Sequence, residues 1–164
     1  MNLPNTSDAR IRTNNEVKIK REDYIIPEEI KNIGKNKKYC IITYGCQMNV
    51  HDSENISAIM EELGYKKQEE LEGSDVIILN TCAIRENAHN KVIGMLGRIK
   101  HLKEINNDII TVFCGCMAQE VSVTKKLEEK YPWVDIVMGT HNFHKLPVYL
   151  DALMKKKTTR NRSI

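Results

Sequence analysis

The stretch Asp75-Val-Ile-Ile-Leu-Asn-Thr-Cys82 decides the fold of this 164-residue chain. A continuous run of branched aliphatic side chains is typical of a strand that is buried on both faces of a parallel sheet. Two further stretches, Tyr39–Cys46 and Ile109–Cys116, repeat the plan of a short apolar run, a small residue, a cysteine and then a segment that begins like a helix. The sequence therefore takes the same strand-to-loop-to-helix step three times, each time through a cysteine.

Helical periodicity fills the gaps between these strands. Asn49 is the predicted N-cap of the first helix and Gly64 its end. The apolar stripe of that helix consists of Ile56, Ile59, Met60 and Leu63. A longer stripe, from Ala88 to Leu102, predicts a second helix after Cys82. A weaker helix covers about residues 119–130, and a closing helix contains Leu146, Leu150 and Leu153.

Strands that alternate with helices of this length predict an α/β fold. We expect a doubly wound, mainly parallel Rossmann-like or flavodoxin-like sheet of about five strands with helices on both faces. The remaining strands are a short edge strand at 65–68 and a last strand at 134–138. In the strand order 2-1-3-4-5, the three cysteine-bearing strands are neighbours about 4.8 Å apart. Cys46, Cys82 and Cys116 are therefore predicted to meet at one edge of the sheet.

Composition suggests three parts of the chain. Residues 1–37 form a polar N-terminal arm that we expect to be mobile apart from one short helix at 26–34. Residues 38–154 form the folded domain, and residues 155–164 form a basic tail. Hydrophobic residues make up 41% of the chain, which is globular composition. Without a long apolar run or a leader-like start, we expect a soluble cytoplasmic protein with no membrane contact.

Charge is unevenly distributed along the chain. Residues 39–154 carry eleven basic and sixteen acidic residues, whereas residues 155–164 carry five basic and no acidic residues. Because affinity for nucleic acids depends mainly on neutralising phosphates, the acidic body is predicted to bind RNA weakly when alone.

The five cysteines are an odd number in a chain without a secretory leader, which argues against a disulfide scaffold. Three thiolates at one edge suit a [4Fe–4S] cluster that leaves one iron without a protein ligand. A zinc ion held by three thiolates and water is an alternative. Buried structural cysteines in a flavodoxin-like binding module are another, since the chain has no Cys-x-x-Cys pair. Cys40 and Cys114 are predicted to be small buried residues that bind no metal.

Three blocks of sequence around these cysteines resemble the signature motifs of the N-terminal domain of the radical S-adenosylmethionine methylthiotransferases. They are Thr43–Glu54, Asn80–Lys91 and Gly115–Gln119. The segment Gly-Cys-Gln-Met-Asn49 is similar to the branch of this family that acts on N6-dimethylallyladenosine in tRNA. The branches that act on threonylcarbamoyl-adenosine in tRNA or on an aspartate of a ribosomal protein usually differ just after the first cysteine.

The resemblance implies that Cys46, Cys82 and Cys116 hold an auxiliary [4Fe–4S] cluster whose open iron binds the sulfur to be inserted. It also implies a following domain with S-adenosylmethionine and a second [4Fe–4S] cluster on a Cys-x-x-x-Cys-x-x-Cys motif, which removes hydrogen from C2 of the modified adenine at tRNA position 37. That motif does not occur in these 164 residues. The chain alone is therefore predicted to be inactive, to carry no catalytic residue, and to handle sulfur for a larger tRNA-modifying enzyme.

Polar residues in the same blocks are predicted to surround the cluster and tune its potential. They are Gln47, Asn49, Ser53, Asn80, Arg85 and Glu86. Helix capping by Asn49 and a surface ion pair of Arg85 explain two of these residues equally well.

Overall fold

The computed structural model describes residues 26–45, 47–82, 86–140 and 142–162, and for residues 86–89 and 158–162 it describes only the backbone. Five parallel strands form one sheet in the order β2-β1-β3-β4-β5. The strands are β1 (Lys38–Thr43), β2 (Lys66–Lys67), β3 (Val76–Thr81), β4 (Ile110–Gly115) and β5 (Ile136–Met138). The predicted α/β class and strand order are confirmed.

The described residues also form four α-helices, of which three lie between strands and the fourth follows β5. They are α1 (Gln47–Glu62), α2 (Glu86–Ile105), α3 (Val121–Lys130) and α4 (Leu146–Arg162). Short 3-10 helices at Glu28–Ile30, Cys116–Gln119 and Phe143–Lys145 complete the secondary structure. In the part of the chain that the structure describes, none of the helices is both long enough and apolar enough to cross a membrane.

The helices divide between the two faces of the sheet. On one face, α1 and the residue after it bury Ile56, Ile59, Met60 and Leu63, and α4 buries Leu146 and Leu150. On the other face, α2 and α3 bury Val92, Leu96, Ile99 and Leu127. Between these layers β3 and β4 are buried at every position, as the continuous apolar runs predicted. The apolar stripes predicted for the first two helices are confirmed wherever side chains are described.

The edge strand predicted at 65–68 is present but contains only Lys66 and Lys67. It pairs with just the first two residues of β1. The connection from the end of β2 to the start of β3, residues 68–75, is therefore short. The backbone N–H groups of Gln68 and Asp75 lie at the two ends of this connection and donate to the carbonyls of Tyr39 and Lys38 at 2.9 and 2.8 Å.

Two boundaries differ from the sequence-based division. The helix expected at 26–34 is reduced to the 3-10 helix Glu28–Ile30. Ile26 and Ile30 are buried in the core beside α1 and α4. The segment assigned to the arm therefore joins the packed body from residue 26 onward, and residues 1–25 lie outside the described residues.

At the other end, residues 155–162 continue α4 and so begin the predicted basic tail as a helix. The helix expected at 119–130 also differs, because Glu120 is extended and separates the 3-10 helix Cys116–Gln119 from α3.

Candidate functional site

The carboxyl ends of β1, β3 and β4 lie side by side and form the edge that carries the candidate cysteines, called the cysteine edge below. Thr43, Asn80 and Cys114 are paired in register across these three strands. Cys82 follows Asn80 by two residues and Cys116 follows Cys114 by two, so these two thiols leave neighbouring strands at equivalent positions. Cys46, the third expected ligand, lies outside the described residues.

The pairing of β1 with β3 differs by one residue from an alignment of the three sequence blocks at their cysteines. Aligning the three blocks by their cysteines sets Tyr44 level with Asn80 and Cys114, whereas the sheet sets Thr43 there. The N–H of Tyr44 still donates to the carbonyl of Asn80 at 2.9 Å. Between the register-matched residue and the cysteine, the first block thus has two residues, whereas each of the other two blocks has one.

The two described candidate ligands differ in exposure. Cys82 is only 2% exposed and forms no disulfide. Cys116 is partly exposed and is the first residue of the 3-10 helix Cys116–Gln119. A group bound at the cysteine edge would therefore contact a buried thiol directly after β3 and a more accessible one directly after β4.

Two glycines bring the three loops close together. Gly45 has φ +106°, and a Cβ atom added there would lie 3.0 Å from Sγ of Cys82 and 2.7 Å from Oδ1 of Asn49. Gly115 has φ +98°, and a Cβ atom there would lie 2.7 Å from the backbone N of Thr81. Each residue therefore needs glycine both for its conformation and for its space. The residue before Cys46 lies against Cys82, and the residue before Cys116 lies against Thr81.

A buried amide network lies directly beneath this edge. Nδ2 of Asn49 donates to the carbonyl of Thr81 at 3.0 Å and to Oδ1 of Asn80 at 3.2 Å. Nδ2 of Asn80 donates to the carbonyl of Asn49 at 2.8 Å and to Oγ of Ser53 at 2.9 Å. The Ser53 and Thr43 hydroxyls are 2.6 Å apart. Three of the six polar residues singled out from the sequence, Asn49, Ser53 and Asn80, thus interact with one another beside the cysteine loops.

The structure overturns the capping assignment of Asn49. Helix α1 begins at Gln47, so Asn49 is the third residue of the helix and not its N-cap, and its Nδ2 donates into the network. Gln47 is exposed. Arg85 lies outside the described residues, and the side chain of Glu86 is not described.

Sequence reasoning missed Thr81. Its hydroxyl donates to the carbonyl of Cys114 at 2.7 Å and so ties the end of β3 to β4. Thr81 is fully buried. A hydroxyl in an otherwise apolar buried strand must find a partner, and this requirement was the signal in the sequence that pointed to a specific role.

The other two cysteines are core residues, as predicted. Cys40 is buried on the α2 face, and its Sγ lies 3.5 Å from the carbonyl of Glu69. Cys114 is fully buried on the opposite face, and its Sγ lies 3.5 Å from the carbonyl of Leu79. Burial raises the pKa of both thiols, and for Cys114 the nearby Asp52 adds to the effect. Both are therefore poor sources of thiolate.

Within the described residues, no three side chains of His, Cys, Asp or Glu form a group that could hold a metal ion. That set does not include Cys46. The donor chemistry of Cys82 and Cys116 nevertheless fits a thiolate-bound cluster, and Gly45 brings the chain that leads into Cys46 against Cys82.

Comparison with known proteins agrees with this arrangement. A family model described as "Uncharacterized protein family UPF0004" matches residues 38–139. Proteins named tRNA-2-methylthio-N(6)-dimethylallyladenosine synthase are 52% identical over 156 residues in Bacillus cytotoxicus and 49% identical over 155 residues in Shouchella clausii. Each alignment covers 94% of this chain and 30% of the relative.

The chain thus spans about 30% of the length of the curated relatives it matches. The family match begins at β1 and includes all three cysteine blocks and β5. The chain therefore belongs to Uncharacterized protein family UPF0004, and the resemblance of its cysteine blocks to the N-terminal domain of the methylthiotransferases is confirmed.

Proposed function

We propose that this chain is the auxiliary [4Fe–4S] cluster domain of a tRNA methylthiotransferase, with Cys46, Cys82 and Cys116 as the three cluster ligands. The enzyme as a whole would insert a methylthio group at C2 of N6-dimethylallyladenosine at tRNA position 37. The substrate assignment is supported by the names of the relatives that are about half identical to this chain.

One observation carries the ligand assignment. Cys82 and Cys116 leave neighbouring parallel strands two residues after a register-matched pair, at the edge where open α/β sheets bind ligands. The close approach of Gly45 to Cys82 supports the inclusion of Cys46 as the third thiolate. When bound, the cluster would supply an iron without a protein ligand, which can hold the sulfur to be inserted.

The chain's own contribution is to bind and shield this group. The buried position of Cys82 keeps water from one side of the site, and the glycine conformations at Gly45 and Gly115 let the backbone approach closely. Cys40 and Cys114 stay in the core, where burial disfavours the thiolate form needed for metal binding. We therefore assign the ligand role to the three cysteines at the strand ends and not to these two.

Anaerobic reconstitution with ferrous iron and sulfide tests the ligand assignment. We expect about four irons and four sulfides per chain. Cys46→Ala, Cys82→Ala and Cys116→Ala should each lose most of this iron, whereas the matched core variants Cys40→Ala and Cys114→Ala should keep it. Colourless zinc binding by the same three cysteines would favour the zinc alternative. A chain that takes up neither metal would favour a binding module with incidental thiols.

The expected activity of the isolated chain follows from the same proposal. Without the Cys-x-x-x-Cys-x-x-Cys motif, the 164-residue chain should produce no methylthiolated nucleoside when incubated with S-adenosylmethionine, reductant and tRNA. Mass analysis of the digested tRNA measures this, and product formation would contradict it.

Because residues 39–154 are net acidic, we also expect only weak tRNA binding by the chain at physiological salt. We expect the protein to lie in the cytoplasm because the proposed enzyme acts on tRNA.

A further inference from the structure

Two buried asparagines join the chain segments that carry the first two candidate ligands. Asn49 lies three residues after Cys46, and its Nδ2 donates to the carbonyl of Thr81, the residue before Cys82. Asn80 lies two residues before Cys82, and its Nδ2 returns a bond to the carbonyl of Asn49. Each segment therefore both gives and receives a hydrogen bond. This exchange fixes the start of α1 relative to the end of β3.

The third segment is tied to the same place on β3. The hydroxyl of Thr81 donates to the carbonyl of Cys114 at 2.7 Å, two residues before Cys116. Gly115 packs against the backbone of Thr81 and would bring a Cβ atom within 2.8 Å of Oδ1 of Asn80. Residues 80 and 81 thus contact the chain on both sides, toward Cys46 and toward Cys116.

Buried amides cost free energy, and the need to hold these elements together does not explain their presence, because apolar side chains could do the same. Asn80 is fully buried and Asn49 is 2% exposed. Asparagine is disfavoured in strands, and a buried amide costs free energy unless its hydrogen bonds are made. Apolar side chains would hold these elements together equally well. Hydrogen bonds add direction, and therefore fix distances between backbones that apolar contacts leave adjustable.

We propose that Asn49, Asn80 and Thr81 are positioning residues, which set the spacing of Cys46, Cys82 and Cys116 before any metal is bound. We call these three residues the amide clamp. The inference rests on the proposed function, because it requires that the three thiols bind one group. Ligands that are held in place beforehand lose less freedom on binding, so the clamp should increase metal retention beyond its effect on folding.

The test uses the whole 164-residue chain and two probes. The first is Cd²⁺, a soft ion that binds thiolates and is followed by the ultraviolet absorbance of its thiolate bonds. The second probe is iron, supplied by anaerobic reconstitution with sulfide, and its retention is measured by the rate at which a chelator removes it from the chain. The double variant Asn49→Leu/Asn80→Leu removes both amides but keeps their approximate shape, which limits the loss of stability. Thr81→Val removes only a hydroxyl and remains informative if the double variant does not fold.

Ser74→Ala is the matched control. Ser74 is also 2% exposed and hydrogen-bonded, but it lies two residues before β3, at the end of the sheet opposite the cysteine edge. Loss of residues that orient metal ligands typically costs about 10- to 100-fold in metal affinity. We therefore expect the double variant to bind Cd²⁺ at least about tenfold more weakly and to lose iron correspondingly faster. Ser74→Ala should stay close to the unmodified chain in both measurements.

A folded double variant or Thr81→Val chain that binds Cd²⁺ and retains iron like the unmodified chain overturns the clamp. Equal losses in Ser74→Ala overturn it as well, because the effect would then follow stability. The proposed function can fail separately: a chain that binds Cd²⁺ through these cysteines but takes up no iron and sulfide rejects the cluster, and the Cd²⁺ comparison still decides the clamp. An unmodified chain that binds neither probe at these cysteines rejects both.

Discussion

Single residues decide how closely the cysteine loops approach one another, and Gly115 shows this best. Its φ of +98° and ψ of −167° belong to a region that is essentially restricted to glycine. A side chain there would also collide with the backbone carbonyl of Thr81. Neither partner of this contact can move independently, because Thr81 and Gly115 are paired in the sheet. Any other residue at position 115 is therefore strained.

Substitution of Gly115 should be costly for this reason. We expect Gly115→Ala to lower the free energy of unfolding by about 3 kcal/mol, combining backbone strain with the steric conflict. Gly97→Ala is a matched control, because Gly97 lies in the exposed part of α2 with nothing within 4 Å of an added Cβ. There the same change should stabilise the chain by about 0.5–1 kcal/mol, since alanine favours a helix. Denaturant unfolding of both variants measures the difference, and similar effects at the two positions would contradict this account.

A partly buried ion pair joins helix α2 to β4 and to the residue before β5 at the end of the sheet opposite the cysteine edge. The ammonium group of Lys103, near the end of α2, contacts Oδ2 of Asp135 at 2.6 Å and donates to the carbonyl of Trp133 at 2.7 Å. The same carboxylate oxygen accepts the N–H of Thr111 in β4 at 2.8 Å. The side chains of Lys103 and Asp135 are only 11% and 18% exposed. One partly buried ion pair thus connects α2, β4 and the segment that leads into β5.

Removal of this ion pair should weaken the fold without affecting the metal site. Lys103→Met leaves the carboxylate of Asp135 partly buried without its cation, and we expect a loss of about 1–3 kcal/mol in unfolding free energy. The control is Arg98→Met, whose ion pair with Glu72 is 3.8 Å long and well exposed. Exposed pairs contribute little, so that change should cost less than about 0.5 kcal/mol. Iron content after reconstitution should be unchanged in both variants, and iron loss in Lys103→Met would show that the two ends of the sheet are coupled.

The helices and strands could be predicted from the local pattern of apolar residues, but the hydrogen bonds and the strand register that connect them could not. Apolar runs such as Val76–Leu79 and the stripe of α1 report burial directly, so the sheet, its order and its cysteine edge followed from the sequence. The role of Asn49 did not follow, because capping and long-range hydrogen bonding require the same residue type. The single-residue offset of the first block also depends on strand pairing, which no local pattern records.

Over the whole molecule, the fold brings distant parts of a 164-residue chain to one edge of one sheet. Packed cores cover both faces of the sheet, and close contacts of the two glycines and hydrogen bonds of Asn49, Asn80 and Thr81 connect the chain segments at that edge. Charge has little part in this arrangement, since basic residues concentrate near the ends of the chain. Under the function proposed above, the domain would serve as a scaffold for three thiols, and the recognition of tRNA would depend on other parts of the enzyme.

The most direct test of this account is a crystal structure of the anaerobically reconstituted chain, with diffraction data collected at the iron absorption edge. The account predicts one iron–sulfur cluster bonded to the Sγ atoms of Cys46, Cys82 and Cys116, with its remaining iron free of protein ligands. Iron bound elsewhere, or a Cys46 thiol directed away from Cys82 and Cys116, would contradict it.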